Sequence, residues 1–348
     1  MASHEDHEDF SGFVCNRAGV ASWVEIPVPE ASPKDVLLKI KACGVCGSDG
    51  MYIEYGGIPP RQNCTPLGHE PAAEVVEVGE DIVSPDVETG DHVVIDTMAL
   101  TDGLLGSGGA QGALSEYVVV HNYEPRKQLK KIPKHIPWHV AALNEPMAVA
   151  LHAVNRTMPK PGCKVVVFGA GPIGLGAIMG YRKKGACHIT AVDVLDSRLE
   201  KALKVGADAV VNSAETEHLA AELVGLQGDG ATAWNRGTRP ATDIFLDAAG
   251  ASPVPGQVAS MAKRGATFGV VGVHKEPTEL NFGQLITTEL NIVFSMGYPT
   301  EIFEVTDDIV DNWRKYAEVV SDQIPFEKAS EALELAKSGK ANKVVVVF

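Results

Sequence analysis

The sequence predicts an α/β protein in two parts, a β-rich portion and a doubly wound parallel sheet. Three observations carry this. The chain has 348 residues, more than one hydrophobic core usually serves, so two domains are expected. From Val14 to Val120 short apolar alternations are broken by Gly, Pro and Asp, the pattern of half-buried strands. Beyond Pro159, Pro161 and Gly162 apolar strands alternate with helical stretches, which reads as βαβα and a parallel sheet.

Residues 1–10 are polar and acidic and predict a frayed end, with His4 and His7 as surface histidines. Strands are expected at 35–41, 73–78, 92–95 and 117–120, with turns at Val78-Gly-Glu80 and Thr89-Gly-Asp91. Residues 141–154 lack glycine, and their one proline, Pro146, sits near the start, so a helix is expected there. Residues 164–168 form a continuous apolar run, as a strand buried on both faces should. A helix over about 172–184, a strand at 188–192 and a helix at 197–205 follow. Further strands fall at 209–211, 243–246 and 266–271, then a helix near 326–338 and a closing strand at 343–348.

Composition narrows the function. Hydrophobic residues make up 45% and charged residues 22%, ordinary values for a soluble globular protein. A net charge of −15 repels phosphate backbones and argues against nucleic acid. The basic stretch 126–131 reads as a solvated loop. No apolar run approaches the ~18 residues that span a bilayer. The first ten residues have no apolar segment of the kind a signal peptide needs, so no membrane is implied and a cytosolic protein is expected. The cysteines are scattered, which does not suit a disulfide framework.

Gly169, Gly171 and Gly174 form a GxGxxG at the junction of an expected strand and helix. The first glycine permits a tight turn, the second a close approach to a pyrophosphate, the third close helix–strand packing. Pro172 and Ile173 open the helix, whose N–H groups attract anions. Asp193 lies 19 residues beyond Gly174, where an acid accepts hydrogen bonds from the adenosine ribose and repels a 2′-phosphate. NAD is therefore favoured over NADP. Arg198 can lie over that ribose or pair with Asp193. In another setting this would be only a glycine-rich turn, but strand, helix and acid together indicate a dinucleotide.

In the β-rich half, Gly44-Val-Cys-Gly-Ser-Asp49 and Gly68-His-Glu70 stand about 20 residues apart, and Glu145 occurs in Leu143-Asn-Glu-Pro-Met147. Thiolate, imidazole and carboxylate are good zinc ligands, and a catalytic zinc takes three protein ligands. Zinc also lowers the pKa of a hydroxyl, which eases loss of hydride from its carbon. Singly, Cys46 reads as a buried thiol, His69 as structural and Glu145 as a helix-end charge. Jointly, beside a nucleotide fold, they favour a metal. Cys43 completes a CxxC with Cys46, but no second pair is in reach, so Cys43 reads as buried.

The ordered set GVCGSD, GHE, GDHV, EP and GAGPIG resembles the zinc-containing medium-chain dehydrogenase/reductase superfamily over essentially the whole chain. Within it, the sorbitol and polyol dehydrogenases are the most similar branch. The resemblance implies a GroES-like β-barrel catalytic domain from residues 1–153 and 298–348, and a Rossmann domain from 154–297. It implies that Cys46 and His69 bind zinc, that Glu70 lies at the zinc edge as an occasional ligand, and that Glu145 ligates directly or through water. Ser48 matches the hydroxyl that takes the substrate proton, and Asp49 a carboxylate that orients a ligating histidine. The stretch 270–273, with Val271 and Val273, flanks the nicotinamide in relatives. Tyr52 matches a substrate-side tyrosine, and Met296 lies in a second substrate-side stretch. A homo-oligomer follows, a tetramer more than a dimer.

Departures matter too. Residues 96–112, where relatives hold a structural zinc on four cysteines, contain no cysteine, so one catalytic zinc and no structural zinc is expected. Met51 replaces the histidine through which liver-type enzymes pass the proton. Gly297 replaces a polyol-contacting arginine. Met51, Ile58, Met296 and Tyr298 then suggest a less polar pocket for a secondary alcohol, diol or ketone. The rival readings are an L-threonine-type amino-alcohol dehydrogenase, a zinc-free quinone or enone reductase, and a non-catalytic relative.

Overall fold

The structure, a computed structural model, describes residues 10–27 and 29–348. The expectations for residues 1–9, with His4 and His7, lie outside the described residues. The chain divides into two compact units: the described residues through Glu145 with Ile302–Phe348, and Pro146–Glu301.

The first unit opens with β1 (Phe10–Arg17) and β2 (Val20–Ile26), an antiparallel pair. Then come β3 (Val36–Gly44), α1 (Gly47–Tyr55), β4 (Thr65–Pro66), β5 (Glu70–Val78), β6 (His92–Ile95), β7 (Tyr117–Val120) and β8 (Leu129–Ile132). The short helix α2 (Trp138–Ala141) and α3 (Asn144–Arg156) close this stretch. Alternation places Val36, Leu38, Ile40, Ala73, Val75 and Val93 at 1% exposure or less in one core, as half-buried strands require. The basic stretch 126–131 is not wholly a solvated loop. Its second half enters β8, where Lys130 pairs with Asp307 and Lys131 with Asp91, both at 2.7 Å.

The second unit is the doubly wound sheet. Its elements are β9 (Lys164–Phe168), α4 (Pro172–Lys183), β10 (His188–Asp193), α5 (Asp196–Val205), β11 (Ala209–Asn212), α6 (Leu219–Gln227), β12 (Ile244–Asp247), α7 (Pro253–Met261), β13 (Thr267–Val270), α8 (Phe282–Thr288) and β14 (Asn291–Phe294). The strands lie in the order β11-β10-β9-β12-β13-β14, all parallel. Val165, Val166 and Val167 are fully buried, which is why β9 reads as an uninterrupted apolar run. Strand order reverses between β9 and β12, and ligands of such sheets bind at the carboxyl ends beside that reversal.

The chain then returns to the first unit through α9 (Ile302–Ala317), β15 (Asp322–Pro325), α10 (Ala329–Lys337) and β16 (Val344–Val347). The expected helix at 326–338 begins with a 3-10 turn over Phe326–Lys328. β16 pairs antiparallel with β3, Val345 opposite Gly44. The division at 145/146, beside the expected 153/154, falls inside α3, whose first two residues belong to one unit and its remainder to the other; that at 301/302, beside the expected 297/298, falls at the start of α9. Among the described residues, no helix is long and apolar enough to cross a membrane.

Candidate active site

Cys46 caps α1 from its N-terminal side. The Asp49 carboxylate, three residues on, accepts the Cys46 backbone N–H at 2.9 Å, the reciprocal arrangement of a capping box. Its other oxygen accepts the Gly68 N–H at 3.3 Å. One fully buried carboxylate therefore holds both segments that carry donor atoms. Gly68 sits at φ +88°, and a Cβ there would lie 2.4 Å from the Leu114 nitrogen, so only glycine fits the turn into His69. A Cβ on Gly44 would lie 1.9 Å from Glu70 Oε2.

These constraints bring Cys46, His69 and Glu70 together, with one donor atom from each within 4.8 Å of the others. Among the described residues no other group of three or more His, Cys, Asp or Glu side chains does this. Thiolate, imidazole and carboxylate converging in a mostly buried position are a donor set suited to zinc. The Ser48 hydroxyl is 3.3 Å from His69 Nε2, and His69 Nδ1 is 3.5 Å from Asp49 Oδ1. Glu145, on the first turn of α3, stands outside the triad. Burial, and then the charge of Glu70, push its pKa up against the opposing pull of His69. Burial alone would make His69 less basic, but Asp49 and Cys46 outweigh it and hold its pKa well above the ordinary value. Asp49 is itself held low by His69 despite its burial. Cys43 is buried, and desolvation followed by the charge of Asp49 pushes its thiol far up, as suits an inert core cysteine.

Sequence reasoning missed Lys343. It reads only as the start of a closing strand, and no local signal sets it apart. Pairing of β16 with β3 brings it to the cluster, where its ammonium forms an ion pair with Glu70 and donates to the Val45 carbonyl at 2.9 Å. Lys343 is 3% exposed and Glu70 1%. Burial lowers the Lys343 pKa, but Glu70 outweighs that and raises it.

Ser48 and Tyr52 are four residues apart on α1 and so share a face. The Tyr52 hydroxyl donates to Ser107 at 3.3 Å.

In the second unit, Gly171 is the N-cap of α4 and Pro172 its first residue, where a missing N–H costs nothing. A Cβ on Gly174 would lie 1.8 Å from the Gly169 carbonyl, whereas one on Gly171 would meet nothing within 4 Å. Gly171 is thus the open side of the turn. Asp193, at the end of β10, accepts N–H groups from Ala170 and Val194 at 2.7 Å and from Leu195 at 3.0 Å. Arg198 Nη1 stands 3.9 Å from it. Gly169, Gly171, Asp193, Arg198, Ser213 and Pro253 help line a cavity of about 400 Å³. A cavity with a helix N-terminus at one wall and a buried acid at another suits a dinucleotide. Ile173 opens α4 half-buried. Val271 follows β13 half-buried, while Val273 is 68% and Met296 89% exposed.

Comparison with known proteins agrees with this construction. Residues 32–134 match the alcohol dehydrogenase GroES-like domain, and residues 172–312 match the zinc-binding dehydrogenase domain. A sorbitol dehydrogenase of Bombyx mori is 30% identical over 92% of this chain and 94% of its own. The (R,R)-butanediol dehydrogenase of Bacillus subtilis is 32% identical over 78% of this chain and 80% of its own. The crystal structure of 2R,3R-butanediol dehydrogenase from Bacillus subtilis superposes with a TM-score of 0.83 at 27% identity, covering 97% of this chain and 99% of that one. The first unit accordingly carries a GroES-like domain and the second a six-stranded Rossmann sheet. A chain with that identity across nine-tenths of both lengths, and with both domains matched in order, belongs to the zinc-binding medium-chain alcohol dehydrogenase family.

Proposed function

We propose that the protein oxidises a secondary alcohol, diol or polyol to the ketone with NAD, and catalyses the reverse reduction. The observation that carries this reading is the convergence of Cys46, His69 and Glu70. These three would hold one zinc ion, with Glu145 as the further carboxylate in electrostatic reach. Zinc bound there supplies Lewis acidity that makes a hydroxyl more acidic. A bound nicotinamide would supply the hydride acceptor, and Ser48, which lies against His69, would take the hydroxyl proton. Tyr52, one turn further on the same face of α1, would contact the substrate. Met51 offers no proton acceptor, so the proton leaves Ser48 by another route, for which waters near Glu70 are our candidate. Lys343 neutralises Glu70 and keeps the cluster from accumulating negative charge.

Cofactor choice rests on Asp193. Three backbone N–H groups and the nearby Arg198 hold its side chain in place, and a fixed carboxylate disfavours a 2′-phosphate. Gly169, Gly171 and Gly174 with the helix opened by Pro172 and Ile173 would take the pyrophosphate, and Val271 and Val273 the nicotinamide. We further propose a cytoplasmic homo-oligomer, a tetramer. Support comes from edge strand β14 and helix α8, where Phe294, Phe282 and Ile286 are 68%, 74% and 77% exposed, since exposed apolar groups at a sheet edge favour association.

The test is absorbance at 340 nm with zinc-loaded protein, a panel of secondary alcohols, diols and polyols, and NAD beside NADP. Turnover with NAD on one of these classes supports the reading. Activity confined to L-threonine would replace it with the amino-alcohol reaction. Zinc content near zero after metal-replete expression would revive the zinc-free reductase or a non-catalytic role.

A further inference from the structure

β12 ends level with the glycine turn and with β13. Asp247 is opposite Phe168 on one side and Val270 on the other. It is fully buried, yet the proposed reaction gives it no task. Its Oδ1 accepts the N–H groups of Ala249 at 2.9 Å and Gly250 at 2.8 Å. Its backbone carbonyl accepts those of Val271 at 3.0 Å and Gly272 at 2.9 Å. Its Oδ2 bonds to His274 Nε2 at 2.8 Å. Since the carboxylate can only accept, Nε2 carries the proton. His274 Nδ1 is buried with no hydrogen-bond partner among the described residues, so the ring is held through Nε2 alone.

Asp247 therefore pins two loops. The first, 248–250, lies against the glycine turn, where a Cβ on Gly169 would be 2.9 Å from the Ala249 nitrogen. The second, 271–274, lies against the first. A Cβ on Gly272 would lie 2.2 Å from the Gly250 nitrogen, and one on Gly250 would lie 2.4 Å from the Val273 carbonyl. Such packing leaves little freedom at the start of the second loop, but Val273 is 68% exposed. The His274 side chain ties the far end of that loop to the end of β12 through its bond to Asp247.

We propose that His274, acting through Asp247, is a positioning residue for the nicotinamide half of the dinucleotide. This rests on the proposed dinucleotide reading and on the placement of 271–273 beside the nicotinamide. The His274–Asp247 bond holds that main chain in the conformation that receives the ring and its carboxamide. The adenosine and pyrophosphate are received elsewhere, at Gly171 and Asp193, and do not depend on it. A clamp that only stabilised the fold would not discriminate between the two halves of the ligand.

The experiment measures binding of NADH and of ADP-ribose, which lacks the nicotinamide, to wild type, His274→Ala and His274→Gln by calorimetry. Loss of one buried hydrogen bond to a carboxylate should weaken NADH about ten- to hundredfold while ADP-ribose binding stays unchanged. His274→Gln, which can still donate to Asp247, should restore most of the NADH affinity. His274→Phe keeps a ring without the donor and gives the same comparison should the alanine variant not fold. Equal weakening of both ligands, or of neither, would overturn the proposal. A wild-type protein that binds neither ligand would overturn the dinucleotide reading itself.

Discussion

Replacing Lys343 with Met removes the cation that faces Glu70 while keeping an unbranched side chain. Both partners are nearly inaccessible, at 3% and 1% exposure, so water cannot take over the role of the ammonium. Removing one member of a buried ion pair costs about 3–5 kcal/mol, because the other charge is left uncompensated. For a domain of this size each kcal/mol moves the melting temperature by roughly 2–4 °C, so the metal-free variant should melt on the order of 10 °C lower. The assay is thermal unfolding by circular dichroism with and without bound zinc. A divalent cation beside Glu70 replaces part of the missing charge, so zinc should narrow the gap to wild type. Adding Glu70→Gln to Lys343→Met should also recover stability, since no unpaired charge remains. The reasoning fails if metal-free Lys343→Met melts within about 2 °C of wild type, or if the double variant is no better than the single.

Four further outcomes follow from the site and its supports. Asp193→Ser removes the carboxylate at the end of β10 and should raise kcat/KM with NADP relative to NAD by at least about tenfold, read from initial rates with each cofactor. Ser48→Ala should lower kcat by about 10²–10⁴ if the hydroxyl takes the substrate proton; unchanged turnover across pH would remove Ser48 from the mechanism. Gly68→Ala forces a side chain into the Leu114 backbone at positive φ, and should both lower the melting temperature and reduce zinc per chain measured by mass spectrometry. Asp35, 4% exposed, is pushed up by burial but held below the usual carboxylate range by N–H groups of Asn122 and Ser32 and by His121. A depressed carboxyl contributes stability above its unfolded pKa of about 3.9 and loses it as pH falls through the folded value. Asp35→Asn should therefore lower the melting temperature at pH 7, with the difference shrinking as pH falls through the folded pKa.

The sheet of the second unit was legible because its strands are buried on both faces and its turns are marked by glycine. Strands 92–95 and 117–120 of the first unit match β6 and β7 residue for residue. Helix α1 was not legible. Gly47 and Gly50 lie inside it, its apolar residues do not gather on one face, and of its residues only Asp49 is buried. Its stability comes from the cap and from contacts remote in sequence. Helix α9 did carry a signal, since Ile302, Val305 and Ile309 are buried at helical spacing. The donor residues were visible as motifs because each sits in a short glycine-bounded segment. Lys343 and the Asp247–His274 pair were not, since each owes its role to a strand or loop brought near by tertiary pairing.

The ion pair between Glu70 and Lys343 also constrains the order in which the protein can be made. Glu70 lies on β5, and Lys343 precedes β16, with the entire Rossmann sheet encoded between them. During synthesis the GroES-like segment leaves the ribosome with Cys46, His69 and Glu70 already in place along the chain, yet its counter-charge does not exist until about 270 further residues have been translated. A nascent chain at that stage holds a carboxylate with no ammonium to meet it. The mature electrostatic balance of the metal centre is thus a late event in biogenesis, and truncation anywhere in the return segment before Lys343 would leave the donor cluster intact in sequence but unbalanced in charge.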